Sequence, residues 1–175
     1  MRVLVVYASQ FGATRGIAEY VGEILRRAGL ETTVAAADGV TGPLDHDAFV
    51  IGSAIHGGRW LKTATEFVRR NRAILAEAPV WLFSSGPIGA MAASAPQSDP
   101  QEIDGFRRLI QPRDHRVFAG AYDRSTADFS GLGLLERTVA KRLLPVGDFR
   151  DWEAIRSWSE GIARSLGRVP VAALG

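Results

Sequence analysis

Residues 2–7 (RVLVVY) form a short unbroken run of aliphatic and β-branched side chains. A strand with one face in water alternates apolar and polar residues, whereas a continuous run suits a strand covered on both faces. The period then changes at once. Over residues 14–28, Ile17, Val21, Ile24 and Leu25 recur at helical spacing, while Arg15, Glu19, Glu23 and Arg26 fall mostly off that face. Gly29 is a natural stop. A buried strand running straight into an amphipathic helix opens a βαβ unit, whose crossover is right-handed and whose strands are parallel.

The alternation continues. Residues 31–36 (ETTVAA) suit a second strand and 48–53 (AFVIGS) a third, buried one. Residues 61–76 read as a helix, with Leu61, Ala64, Phe67, Val68 and Leu75 apolar. Residues 79–84 (PVWLFS) suit a fourth strand, with Pro79 at the first position, where no ladder donor is needed. The stretch 86–101 is rich in Gly, Ala, Ser and Pro and reads as a long loop. A helix near 102–111, a fifth strand at 115–121 and a terminal helix at about 151–167 complete the pattern. The expected fold is a single α/β domain over residues 1–175, a three-layer sandwich around a five-stranded parallel sheet of order 2-1-3-4-5. Residues 122–148 exceed an ordinary connection of ~2–6 residues and read as an inserted segment.

Composition removes several functions. The chain has no cysteine, so thiolate catalysis, disulfides and cysteine-ligated metals are excluded. Its 21 Lys and Arg nearly balance 19 Asp and Glu, which leaves no strong nucleic-acid footprint. The start, MRVLVVYASQ, lacks the length and cleavage pattern of a signal peptide, and no run approaches the ~18 apolar residues of a membrane span. The expectation is a cytoplasmic protein. A receiver-type domain needs a carboxylate cluster after the first strand, and Tyr7-Ala8-Ser9 supplies none. Ser53 and Ser85 follow strands but sit in no G-x-S-x-G, which leaves a serine hydrolase poorly supported. No metal site is expected.

In an open α/β sheet, ligands lie beyond the carboxyl ends of the strands where the strand order reverses. Three loops would meet there. Ser9, Gln10, Phe11, Gly12, Ala13 and Thr14 join the first strand to its helix. Free amides and the helix dipole would converge on one point that suits a phosphate. The loop lacks both G-x-x-x-x-G-K-[ST] and G-x-G-x-x-G, so neutral donors, with Arg15 as a further candidate, would have to hold the group, which suits a mononucleotide. Simple capping by Ser9 or Thr14 is the competing reading. Ala54, Ile55, His56, Gly57, Gly58 and Trp60 follow the third strand; Ser84, Ser85, Gly86, Pro87, Ile88 and Gly89 end and follow the fourth. Gly57-Gly58 can reorient a peptide at low steric cost. Trp60 either covers a ring face or packs at a helix start, and His56 is either a donor to a cofactor oxygen or a surface residue.

Ser9-Gln10-Phe11-Gly12-Ala13-Thr14 resembles the flavodoxin phosphate loop, [ST]-x-[T]-G-x-[T], with Phe11 at a position where a hydroxyl is usual. The runs VVYASQFGATRGIAEYVGEIL, VIGSAIHGGRWLKTATEFVRRN, VFAGAYD and GDFRDWEAIRSWSEGIA extend the resemblance to the flavodoxin-domain family that includes menaquinone-dependent protoporphyrinogen dehydrogenase. The resemblance implies a flavodoxin-like fold and an FMN cofactor, with its phosphate on Ser9–Thr14 and its ring between the loops at 54–60 and 84–89. It further implies oxidation of protoporphyrinogen or a similar reduced small molecule with a quinone acceptor. The alternative is a flavodoxin-type electron carrier that serves a protein redox partner. In the inserted segment, Leu132, Leu135, Val139 and Leu143 form a stripe beside Arg137, Lys141 and Arg142. Packing on the sheet or on a second subunit is the favoured reading of that stripe, and peripheral membrane contact is the other.

Overall fold

A computed structural model describes residues 1–42, 44–86, 99–122 and 146–167. The inserted stripe at 131–144 and the loop residues Pro87, Ile88 and Gly89 lie outside the described residues.

Five strands build the parallel sheet: β1 (Arg2–Ala8), β2 (Glu31–Ala36), β3 (Ala48–His56), β5 (Val80–Ser85) and β6 (Asp114–Phe118). The two-residue strand β4 (Arg59–Trp60) sits between β3 and β5 in the chain and pairs with β3, antiparallel. The order is β2-β1-β3-β5-β6. With β4 set aside as a side branch, this is the expected 2-1-3-4-5 arrangement. The helices are α1 (Ala13–Arg27), α2 (Lys62–Arg70), α3 (Arg72–Glu77), α4 (Ile103–Ile110) and α5 (Trp152–Ser165).

The continuous apolar run of β1 is explained by two separate cores. Val3 and Val5 pack with Ile17, Val21 and Leu25 of α1 and Ile155, Trp158 and Ile162 of α5. Leu4 and Val6 face the other way, onto Phe67, Val68 and Leu75 of α2 and α3 and Ile103, Phe106 and Ile110 of α4. All four β1 side chains are buried, so neither face tolerates a polar residue.

Three boundaries differ from the sequence expectation, each for a local reason. The single helix expected at 61–76 is broken at Asn71, whose backbone leaves the helical region (φ −101°, ψ 14°). The Asn71 side-chain amide donates to the Phe67 carbonyl at 2.9 Å and competes with the backbone for it. The third strand continues to His56, because Gly57 and Gly58 both have positive φ (56° and 76°) and turn the chain back into β4 as a tight hairpin. The fifth strand stops at Phe118. After Ala119 and Gly120 the chain enters β7 (Ala121–Tyr122), which pairs antiparallel with β8 (Gly147–Asp148). The ends of the inserted segment are thereby held side by side, next to the start of α5.

The Gly52 position shows how closely the central strands fit. Gly52 and Phe83 are register partners on β3 and β5, and a Cβ on Gly52 would lie 2.0 Å from the Phe83 ring. The ring has no free direction, being packed against Phe118 and Trp158. Gly52→Ala is expected to lower unfolding stability by about 1–3 kcal/mol through overpacking, read as a shift in the urea midpoint at unchanged slope.

Candidate functional site: a crevice at the carboxyl edge of the sheet

β1, β3 and β5 are parallel neighbours, with Ala8 opposite Ser53 and Ala54 opposite Ser85. The segments that leave them therefore emerge on one edge, and the reversal of strand order falls between β1 and β3.

The β1–α1 loop is the most specific part. Gly12 carries φ +86°, and its N–H donates to Ser9 Oγ at 3.1 Å, which closes the loop. No side chain caps α1, and its first turn holds no acidic residue. The Gly16 N–H makes a bond to the Gly12 carbonyl at 3.0 Å. The amides of Ala13, Thr14 and Arg15 precede it and have no carbonyl partner within the helix. Thr14 is fully buried, and its hydroxyl has no hydrogen-bond partner among the described residues. A buried hydroxyl without a partner costs about 1–3 kcal/mol, so a ligand oxygen is the natural complement. Thr14 does not cap the helix, and Ser9 serves the loop.

Arg15, considered as a phosphate partner, is committed elsewhere: its Nε lies 2.8 Å from Glu19 on the outer face of α1. A different cation reaches the loop. The Arg150 guanidinium makes two bonds to Asp148, at 2.8 and 2.7 Å, and stacks 4.3 Å over the Trp152 ring. Its Nη1 approaches the Ala13 carbonyl at 3.4 Å, and its side chain is only 17% exposed. Gly16 makes this possible, since a Cβ there would lie 2.4 Å from Arg150 Nη1. The Arg150 hydrogen bonds hold the Asp148 carboxyl below the usual carboxylate range, so the pair stays ionised at neutral pH. The sequence contained Asp148 and Arg150 in strand-like alternation, but only the fold brings them to α1.

The second flank is the β3–β4 hairpin. Ala54 and Ile55 are half-buried strand residues, while His56, Gly57 and Gly58 are exposed at its tip. Of the two readings of Trp60, packing describes where the ring lies. It is buried 5.2 Å from the Phe106 ring, and its Nε1–H donates to Ser84 Oγ at 2.8 Å. Three further bonds secure the hairpin. The Trp60 backbone N–H and Arg59 Nε donate to the Glu102 carboxylate at 3.0 and 3.2 Å, and the Gln101 N–H donates to the Gly58 carbonyl at 3.2 Å.

The third flank begins at β5. Ser84 and Ser85 are buried strand residues, and the Gly86 N–H donates to the Phe118 carbonyl at 2.9 Å. Ser84 Oγ also lies 2.8 Å from Nε2 of His115 on β6, and His115 Nδ1 lies 3.0 Å from Asp99. Neither His115 nor Asp99 was singled out from sequence.

The family described as flavodoxin domain matches residues 4–143. The chain belongs to the flavodoxin-domain family. Protoporphyrinogen IX dehydrogenase [quinone] of Escherichia coli K12 is 22% identical, with 93% of this chain and 95% of that protein covered. An archaeal flavodoxin superposes with a TM-score of 0.63 at 16% identity, covering 95% of this chain and 99% of the other. Rubredoxin oxygen:oxidoreductase of Desulfovibrio gigas superposes with a TM-score of 0.63 at 14% identity over 95% of this chain, a region that is 36% of the larger protein. As a flavodoxin-domain protein the chain takes FMN as its cofactor. The donor set fits this assignment: free amides, the partnerless Thr14 hydroxyl and a helix start without negative charge suit a phosphate ester.

Thr14 allows ligand binding and protein stability to be separated. Thr14→Val keeps the shape and removes the partnerless hydroxyl. Without FMN the variant is expected to be at least as stable as the parent, by up to about 1 kcal/mol, while its FMN affinity falls. Thermal unfolding with and without FMN, together with fluorescence titration, reads both effects. A variant destabilised without FMN, with unchanged affinity, would contradict the assignment.

Proposed function

We propose that this flavodoxin-domain protein is an FMN-dependent oxidoreductase that oxidises protoporphyrinogen, or a similar reduced organic molecule, and reduces a quinone. The cofactor supplies the redox chemistry, and the protein supplies binding, orientation and electrostatics. Each turnover removes two electrons and two protons from the donor; a quinone accepting both pairs becomes a quinol. The chain's own part is to hold the phosphate on Ser9–Thr14, with Arg150 as the nearby cation, and to flank the ring with the hairpin at 54–60 and the segment that begins at Ser84. Gly57 and Gly58 leave the tip peptide free to present either its carbonyl or its N–H to the ring.

The observation that carries the substrate reading is the end-to-end similarity to the Escherichia coli dehydrogenase, which aligns over nearly the whole of both chains. The inserted segment begins and ends within that alignment. Among the described residues no helix is long and apolar enough to cross a membrane. A second reading, an electron carrier that serves a protein redox partner, is supported by the family itself. The nearly balanced charge, +2, speaks against it, since many carriers use a strong negative surface to meet basic partners.

The deciding assay supplies FMN-loaded protein with protoporphyrinogen and a soluble quinone under anaerobic conditions. The enzyme reading predicts catalytic formation of porphyrin that requires both FMN and quinone and disappears with the apoprotein. A protein that exchanges electrons only with protein partners, with no porphyrin formed above the rate without protein, would establish the carrier reading instead.

A further inference from the structure

Ser84, His115 and Asp99 stand in the relation of a serine–histidine–aspartate triad, at 2.8 and 3.0 Å. Such a constellation ordinarily activates a nucleophile. Here it cannot, because Ser84 is fully buried and its oxygen already accepts the Trp60 indole N–H. The same geometry has another consequence. The Asp99 carboxylate can only accept, so His115 carries its proton on Nδ1 and presents Nε2 as an acceptor. Ser84 then donates its hydroxyl hydrogen to Nε2 and keeps its lone pairs for Trp60. The bonds run in one direction, from β4 through β5 and β6 to Asp99, which is itself held by Arg107 at 2.6 Å.

Trp60 is the cross-strand partner of Ile55, two residues from the Gly57–Gly58 turn. Its backbone and the turn are gripped by Glu102 and Gln101. Both the side-chain and the backbone anchors of the hairpin therefore lead back to one short stretch, residues 99–102. We propose that Ser84, His115 and Asp99 form a positioning relay for the hairpin that flanks the FMN ring, coupling the protonation of His115 to FMN affinity and redox potential. This rests on the FMN reading of the crevice.

The direction of the coupling follows from the charges around the ring. Burial pushes His115 below the usual histidine range; Asp99 and Asp114 oppose this, and Arg107 adds to it. Ser84 and Trp60, on β5 and β4, are neutral. His115 is therefore neutral at pH 7, and the relay runs as described. On acidification Nε2 gains a proton and becomes a donor. Ser84 must then accept from both His115 and Trp60 and turn its own hydrogen elsewhere. The anchored arrangement belongs to the neutral state, so FMN binding weakens as pH falls through the His115 transition. Because the folded-state pKa is lowered, the stability contributed by neutral His115 is likewise complete above the unfolded pKa and is lost as pH falls below it.

The experiment measures FMN dissociation constants and midpoint potentials between about pH 5 and pH 8 for the parent, Ser84→Ala, His115→Gln and Ser159→Ala. Ser159 is a buried serine on α5 whose hydroxyl, among the described residues, bonds only its own helix, and it controls for the loss of a buried hydroxyl. Ser84→Ala is expected to weaken FMN roughly 3- to 10-fold at neutral pH. His115→Gln keeps an acceptor toward Ser84 but cannot titrate, so it should abolish the acid-side rise in Kd and the matching bend in potential. Ser159→Ala should follow the parent. The Trp60 indole N–H resonance of FMN-free protein gives a second readout: it should move with pH in the parent and stay fixed in His115→Gln. Variants with the parent's affinity, potential and pH profile, or an indole resonance unmoved by acid in the parent, would overturn the relay. A parent that binds no FMN would contradict the cofactor assignment, while the indole resonance would still test the relay.

Discussion

Strand β1 is buried on both faces, and the rest of the architecture depends on that constraint. Leu4 and Val6 need cover on one side of the sheet, and Val3 and Val5 need it on the other. Helices therefore lie on both faces, and the five long strands run parallel, joined by connections that cross over the sheet. Parallel strands release their chains at one edge. The β1–α1 loop, the β3–β4 hairpin and the exit of β5 meet there because the core demands it, and the crevice results from packing.

Within the crevice, the start of α1 is unusual in what it lacks. Among the described residues it has no side-chain cap, no acidic residue in its first turn, and a buried threonine hydroxyl with no partner. An ordinary helix would satisfy such groups locally. Left open beside Arg150, they cost the free protein some stability, which a phosphate ester bound there would return. Asp148, Trp152 and Gly16 hold the arginine in place, so its charge is positioned before any ligand arrives.

Much of the fold was legible because periodicity records burial. The run at 2–7 and the stripe through Ile17, Val21 and Leu25 place β1 and α1 almost to the residue. Boundaries were less legible where a side chain intervenes locally, as with the Asn71 amide taking the Phe67 carbonyl. The Gly57–Gly58 pair announced flexibility, yet only paired backbone on both sides makes it a hairpin. The Ser9–Thr14 loop was readable as a strand-to-helix turn. Arg150 was not, since it meets Ala13 across 137 residues of chain. The link from Ser84 to His115 and Asp99 was likewise hidden, because the three come from two strands and a loop with no shared motif. Trp60 was ambiguous from sequence because an indole can stack or pack equally well; the structure places its ring in the core beside Phe106, bonded to the Ser84 hydroxyl.

The central claim is that backbone amides and one buried hydroxyl at the start of α1 grip a phosphate ester. Calorimetric titration of the ligand-free protein with FMN and with riboflavin, which differ only in that ester, tests it most directly. The account predicts FMN to bind tighter by at least ~100-fold, the equivalent of about two charge-assisted hydrogen bonds. Equal affinities for the two flavins would contradict it.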